Sequence, residues 1–383
     1  MHLQVNCVYS QYGTTSNQRS VGETLDKIAG SEGSSLHTLL GKLDFSAADG
    51  HQITRTLAQL EPSAYSALYA SSLKRESQIS DIINSRSFFT APHQLAEDEW
   101  RSFAIPFGGG VWQDNQGNAV GYTASSYGIV AGAEKQSIAN PDVLLGFHGA
   151  ISGQSVDLKE PQSAEGKTTA FDLGLHARYA TNPQVGTYLF GHTRFGIEDS
   201  EMTRRITVGT THENKSNWTG LSSTTVAGGG YLWSVNEGLS IGPEASVNYT
   251  LLSHPDITES GDNGSNQKLD SNKVNSLVSS LGAVAHLNTP LQSGSAVKGN
   301  IQLAWEHQLL DDELTQDARF VSSQSQRFSS KNTFTERDAM AMKTGVSYEI
   351  SPDVAVGADL TTRLFNSDNS SLDGSLSATW RFR

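Results

Sequence analysis

From about residue 101 to the carboxyl end, apolar and polar residues alternate one by one in segments too long for an ordinary strand, and no other feature constrains the fold as tightly. Successive side chains of a strand point to opposite faces, so a period of two gives each segment one apolar and one polar side. In "FDLGLHARYA", Phe171, Leu173, Leu175, Ala177 and Tyr179 share one face, opposite Asp172, Gly174, His176 and Arg178. Val185, Leu189, Phe195 and Ile197 stand against Gly186, His192 and Arg194. Val297, Ile301, Leu303, Trp305 and Leu309 oppose Lys298, Asn300, Gln302 and Glu306, and Val354, Val356, Leu360 and Leu364 oppose Gly357, Asp359 and Arg363. About twelve such segments begin near residues 102, 119, 142, 167, 184, 218, 239, 273, 296, 336, 353 and 371, most of them roughly 11 to 16 residues long. A soluble strand usually has about 5 or 6 residues. A strand that crosses a bilayer at its tilt needs about 9 to 11 in hydrocarbon, plus extensions on either side.

The connections alternate too. Short links such as "NPQ" at 182–184 and "SPD" at 351–353 interleave with long polar stretches near 198–217, 253–272 and 311–335, which predicts short turns on one side of a membrane and long loops on the other. The polar faces mix glycine with charges of both signs: His148, Asp172, His176, Arg178, His192, Arg194, Glu244, Glu306, Lys343, Asp359 and Arg363. A hydrated lumen accommodates such a set, whereas unpaired charge in a dry core is costly. The apolar faces then meet lipid, where no backbone group goes unpaired, so the sheet must close on itself. The expected fold class is all-β, a twelve-stranded antiparallel transmembrane barrel, and its even strand count brings both barrel ends to the periplasmic side.

Composition agrees with this reading. The apolar fraction is only 36%, and 36 Gly against 10 Pro suit many strands and turns better than a helix-rich enzyme. A net charge of −13 argues against nucleic acid as a partner. The single cysteine, Cys7, excludes an internal disulfide and any multi-cysteine metal site. No stretch approaches about 18 consecutive apolar residues, so no membrane-spanning helix is expected. The opening "MHLQVNCVYSQYG" lacks a basic region followed by an apolar core, which reads as a cytoplasmic protein or as a downstream fragment of a longer one.

Before Trp100 the period is 3.6. Ile53, Leu57 and Leu60 in "HQITRTLAQL" have helical spacing, with cap-like "SAADG" in front. A second helix is expected after Pro62, with Ser63 as N-cap, through "AYSALYASSLKRESQISDIINSR". Tyr65, Leu68, Tyr69, Leu73, Ile79, Ile82 and Ile83 fall near one side, with Lys74, Arg75, Glu76 and Asp81 elsewhere. About 22 helical residues span about 33 Å, close to the hydrocarbon thickness of a bilayer, although a three-helix bundle would show the same stripe.

The closing strand, the alternating segments, the stretch "GNAVGYTASSYGIVAGAEKQ" after "GGGVWQD", and the helical "LAQLEPSAYSALYASSLKRESQISDII" together resemble the C-terminal translocator domain of bacterial autotransporters, the type V secretion pathway. The resemblance covers roughly residues 63–383. It implies a twelve-stranded outer-membrane barrel with an N-terminal α-helix inside the lumen, leading out to a surface-exposed passenger. It also implies that Leu376, Trp380 and Phe382 form the C-terminal signal read by the barrel-assembly machinery. Members usually end on an aromatic residue, whereas Arg383 follows Phe382 here. The expected division is 1–62 passenger remnant and linker, partly helical or disordered; 63–87 pore-spanning helix; and 101–383 barrel. Lys74, Arg75, Glu76 and Asp81 are then the helix groups expected to meet the lumen charges, in pairs near water worth below about 1 kcal/mol each. Expected partners are outer-membrane lipid, the assembly machinery and the chain's own passenger, with the barrel a monomer.

Catalytic chemistry finds little support. No G-x-S-x-G elbow occurs, and "GAISGQ" is strand-like. His148, His176 and His192 fall on successive strands at lumen parity, which suits a solvated hydrogen-bond network better than a metal site. The triplets Gly108–Gly110 and Gly228–Gly230 precede no helix start or Lys-Ser/Thr, and read as strand glycines that allow curvature or close approach of the helix. Some autotransporters cut their linker helix by asparagine cyclisation at two adjacent Asn residues. Here only Asn84 followed by Ser85 is offered, and an uncleaved helix is preferred. No catalytic residue, metal or cofactor is assigned. The alternatives are an outer-membrane porin or solute channel, and a soluble β-rich adhesin or hydrolase.

Overall fold

A computed structural model describes residues 8–30, 35–46, 50–89, 95, 99–117, 119–182, 184–261, 264–291, 295–334, 336–366 and 369–382. Cys7, Arg383 and the centre of the "SAADG" cap, residues 47–49, lie outside the described residues. Four α-helices come first: α1 (Ser16–Ala29), α2 (His37–Ser46), α3 (His51–Leu60) and α4 (Ser63–Phe89). The strands follow as β1 (Trp100–Gln113), β2 (Tyr122–Gln136), β3 (Val143–Leu158), β4 (Ala164–Ala180), β5 (Gly186–Val208), β6 (Thr210–Ser234), β7 (Leu239–His254), β8 (Ile257–Thr258), β9 (Gln267–Leu269), β10 (Asn272–Pro290), β11 (Ala296–Gln308), β12 (Glu313–Phe320), β13 (Ser323–Thr333), β14 (Asp338–Ser351), β15 (Val354–Asn366) and β16 (Asn369–Phe382).

Twelve of the strands close into an antiparallel barrel in the order β1-β16-β15-β14-β11-β10-β7-β6-β5-β4-β3-β2. The first and last strands seal it, with Trp100 opposite Phe382 and Gln113 opposite Asn369. Both barrel termini therefore lie at one end, called here the lower end. The alternation sorts as the sequence implies: Phe171, Leu173, Leu175, Leu189, Phe195, Ile197, Ile301, Leu303, Leu360, Leu364 and Leu376 are exposed on the outside. Asp172, Arg194 and Glu306 are buried on the inside. None of the described helices is long and apolar enough to cross a membrane by itself.

The stretches expected as long polar loops are instead structured. Residues 198–217 continue the β5–β6 ladder from Glu198↔Gly220 up to Val208↔Thr210, where Gly209 turns the chain with φ +72°. The region 253–272 contributes β8 and β9, and 311–335 contributes β12 and β13, which join in a second sheet of order β13-β12-β9-β8. Sequence reading misses these strands because the phase of the alternation inverts. In β5 the apolar residues point outward through Phe195 and Ile197, then inward at Met202, Ile206 and Val208, which are buried. Water replaces lipid outside the barrel at that level, and the outward positions become Asp199 and Glu201.

The inward apolar residues there cover a folded cap. Residues 1–62 were expected to be partly helical or disordered, with one helix. Among the described residues they form a short 3-10 helix, Tyr9–Tyr12, and three α-helices whose Val21, Leu25, Ile28, Leu43, Ile53 and Leu57 share a buried core with Met202, Ile206, Val208, Leu269, Leu314, Phe320 and Phe328. Burying each such side chain contributes about 1.5–3 kcal/mol. Thr15 caps α1 by accepting from the Gln18 amide. Asn17 then pairs with the backbone of Lys331 in both directions, at 2.8 and 2.9 Å.

The outward face sets a substitution test. Leu175 lies 64% exposed near the middle of the apolar stretch of β4, whereas Lys167 occupies the same face above it. Leu175→Arg should destabilise the barrel by about 2–4 kcal/mol, read as a lower temperature for loss of heat-modifiable migration on a denaturing gel. Lys167→Arg should leave that temperature unchanged.

Candidate functional site

The lumen is filled by α4. Its apolar residues do not form the single stripe expected, because the barrel surrounds the helix and most of its residues are buried. They are layered along its axis instead. Ala64, Tyr65, Leu68, Tyr69 and Leu73 join the core beneath the cap, and Ile79, Ile82 and Ile83 pack on Phe103, Ile105, Phe107, Val130 and Ala150 near the lower end. Between these layers lies a band of charge. Close approach needs glycine in the wall: a Cβ at Gly166 would lie 3.2 Å from Leu68, and one at Gly109 would lie 2.7 Å from Gln78. At Gly228 and Gly230 the freed space is taken by Phe190 and Tyr188 instead of the helix.

The band is centred on Glu76. Arg194, from β5, donates to its carboxylate through Nη2 at 2.8 Å and Nε at 3.1 Å, and Thr224 from β6 donates at 2.9 Å. Arg194 also reaches Ser80 at 2.9 Å and the Glu76 carbonyl. Arg75 bonds Glu76 at 3.1 Å and pairs with Glu198 of β5. Lower down, Asp81 accepts from Lys343 of β14 at 2.7 Å and from Arg363 of β15 at 2.6 Å, while Arg363 is held by Glu306 of β11 at 2.7 Å. At the foot of the helix, Arg86 and Arg101 both donate to Glu134, at 2.6 and 2.8 Å, and His176 contacts the same carboxylate at 3.2 Å.

These contacts place the expected residues as follows. Arg194, Lys343 and Arg363 meet the helix charges Glu76 and Asp81, and Asp172 lies buried where the charges of Glu76, Arg194 and Arg75 act on it. Glu244 bonds within the wall, to Tyr188 and Gln302, both at 2.6 Å. Asp359 accepts weakly from Ser375 at 3.5 Å and lines a cavity beside α4, and Lys74 lines a second one with Glu306 and Arg363. Arg178 is buried in the field of Glu134. His148 and His176 touch through their Nδ1 atoms at 3.2 Å, and His192 stands edge-on to His148 with ring centroids 5.9 Å apart. Among the described residues no group has the arrangement of a metal site. Leu376, Trp380 and Phe382 are exposed on the outside of β16.

One expectation is corrected. The helix–wall pairs were placed near water, yet Arg75, Glu76 and Arg194 have 0% side-chain exposure. Cavities of about 40 and 80 Å³ lie beside α4 on the side of β7, β10, β11 and β14–β16, and another of about 40 Å³ lies at its foot by Ser85 and Arg86, room for a few water molecules each. Enclosed pairs follow a different rule from surface ones: removing one partner strands a buried charge and costs about 3–5 kcal/mol.

Sequence reasoning missed Glu134, Glu198, Arg86, Arg101 and Thr224. Counting in twos from the outward Tyr127 and Ile129 puts Glu134 inside, so its parity was available. Glu198 falls just past Ile197, in the stretch read as loop. Arg86 stands in the last turn of α4, where a cation suits the helix dipole.

At the upper end Glu61 sits 5% exposed between α3 and α4, and burial pushes its carboxyl up to about 7, against the smaller opposing effect of Asn17, Gln18, Ser63 and Thr15.

The family model described as "Autotransporter beta-domain" matches residues 103–361. The translocator domain of autotransporter NalP from Neisseria meningitidis superposes with a TM-score of 0.60 at 15% identity, over 83% of this chain and 99% of that one. The beta domain of the Bordetella autotransporter BrkA gives 0.53 at 17% identity, over 73% and 98%. The transport unit of the autotransporter AIDA-I from Escherichia coli gives 0.51 at 15%, over 75% and 91%. No curated protein matches this sequence.

Two outcomes are expected from the site. Glu76→Ala, which leaves Arg194 buried without its carboxylate, should weaken the seat of α4 by about 3–5 kcal/mol, seen as amide hydrogen exchange of α4 faster by a hundredfold or more in detergent-solubilised protein. For Glu61 the folded state prefers the protonated acid, so stability is fully present below the ordinary carboxyl pKa and falls as pH rises through about 7. The cap should be less stable at pH 8 than at pH 5 by up to about 3 kcal/mol, measured by protease sensitivity of α1–α3, and Glu61→Gln should remove that dependence.

Proposed function

The chain belongs to the autotransporter beta-domain family, an outer-membrane translocator with a passenger attached, and from that premise we propose that α4 is the last exported segment, kept in the pore as its plug. The observation that carries this reading is the match between helix and wall. Wall charges from β2, β5, β14 and β15 meet partners along the middle and lower part of α4, from Arg75 to Arg86.

The path of the chain supports a direction. It enters the lumen at Ser63 beneath the cap, leaves it beside Arg86, and begins β1 at the lower end where Trp100 meets Phe382. With the lower end in the periplasm, residues 1–62 stand at the cell surface as passenger remnant and linker, 63–87 span the pore, and 101–383 form the barrel. The exposed apolar band then contacts outer-membrane lipid. Leu376, Trp380 and Phe382 present alternate apolar side chains on the sealing strand, and we assign to them recognition by the barrel-assembly machinery. A closed barrel has no free edge to template association, which favours a monomer.

A solute-channel reading is weaker on the same observation, because the conduit is occupied. No catalytic role is assigned to the barrel. Asn84 is half-buried among Asp81, Lys343 and Asp359 around one small cavity, and we retain the uncleaved helix as the functional form.

Removal of the plug is the direct test. A chain lacking residues 1–87 should conduct ions in a planar lipid bilayer several-fold better than the intact chain. Equal conductance from the two would refute the plug.

A further inference from the structure

At the top of the lumen a second charged cluster stands apart from the α4 band and has no role in plugging the pore. Arg204 on the upper part of β5 is 1% exposed, and Glu259, just after β8, is 3% exposed. The guanidinium binds the carboxylate through two bonds, Nε to Oε1 at 2.6 Å and Nη2 to Oε2 at 2.9 Å. Its remaining nitrogen, Nη1, donates to the carbonyls of Gln59 at 2.9 Å and Glu61 at 3.2 Å, and Gln267 donates to the carbonyl of Leu60 between them. Three consecutive backbone carbonyls at the end of α3 are thus taken up by two side chains, Arg204 of the barrel wall and Gln267 of the four-stranded sheet. A helix leaves its last four carbonyls without internal partners and carries a partial negative charge there. A guanidinium in that place complements a helix end.

Glu259 ties the same cluster to the start of α4. It accepts from the Tyr65 hydroxyl at 2.9 Å, the Gln267 amide at 2.9 Å and Asn214 at 3.3 Å. Gln59 and Gln52 add bonds to the amide and carbonyl of Thr207, at 2.8 and 2.6 Å. The corner formed by Gln59–Pro62 is therefore held by groups on β5 of the barrel and on the β8–β9 part of the four-stranded sheet.

We propose that Arg204 and Glu259 are the positioning residues that fix where export stops, by capturing the α3–α4 corner as it clears the pore. This rests on the reading of α4 as the final exported segment. Captured there, the corner sets the height of α4, so that Glu76 and Asp81 arrive opposite Arg194, Lys343 and Arg363. It also seats α1 on β13, and α2 and α3 on β5, as a body that cannot slip back.

The test uses the full chain with its passenger in the outer membrane of intact cells, treated with external trypsin. Arg55, exposed on α3 and paired with Glu160 at 3.0 Å, is the reporter cleavage site. Arg204→Ala should speed cleavage at Arg55 at least tenfold, while surface passenger and heat-modifiable migration stay as in the native chain. Arg204→Lys should give an intermediate rate, since an ammonium cannot hold Glu259 with two parallel bonds while reaching both carbonyls. Unchanged cleavage at Arg55 in Arg204→Ala would overturn the proposal. If that variant fails to assemble, Glu259→Gln takes its place, with faster cleavage expected and an unchanged rate again decisive against the stop. Loss of surface passenger from the native chain would instead count against the translocator reading, which keeps the two failures apart.

Discussion

The carboxylate of Glu76, enclosed between two guanidiniums with no exposure to solvent, is the interaction on which the arrangement of the lumen depends. A charge there is tolerable only with its partners in place. That requirement fixes the rotation and height of α4 more sharply than its apolar residues could, since these sit in layers above and below and would tolerate small shifts. Because Arg75 and Glu76 are adjacent, they fall about 100° apart around the helix, and both are met by β5, through Glu198 and Arg194. The pairs at Asp81 and Arg86 then anchor the lower half to β14, β15 and β2. The lumen is polar as a lipid-enclosed barrel demands, yet it is packed instead of open.

Two solvents write the strands of this chain. Within the hydrocarbon the apolar side faces out and the polar side faces α4. Above it the outside is wet, and β5 keeps its period of two while the apolar residues change sides to cover α1–α3. The cap and the four-stranded sheet thereby share a core with the top of α4, joining α1–α3 to the barrel.

The barrel was legible because lipid on one side forces a strict alternation. Eleven of the twelve expected segment starts, such as those near 142, 239, 296 and 353, fall within about three residues of strands beginning at Val143, Leu239, Ala296 and Val354. The other, near 218, missed by eight because the first part of β6, residues 210–217, carries polar residues on both faces. Helix α3 was legible from Ile53, Leu57 and Leu60, and α4 from its start after Pro62, although Ser63, read as its N-cap, is its first helical residue. The helices α1 and α2 were not legible: α1 packs against β13, itself hidden in polar sequence, and α2 against α3 and the upper part of β5 that was read as loop. In the site, parity marked Arg194 and Arg363 as inward but could not say which helix residue each would meet. That depends on the height of α4, which no local pattern encodes.

The account stands on the height and rotation of α4 inside the barrel, and proximity measures both. Gln154 of β3 donates to Ser72 of α4 at 2.9 Å. Cysteines placed at these two positions, with Cys7 replaced by serine, should be joined in high yield by a short thiol cross-linker in the assembled protein, whereas cysteines at Gln154 and Ser77 should not. Absence of the first cross-link in protein that still shows heat-modifiable migration would contradict the account.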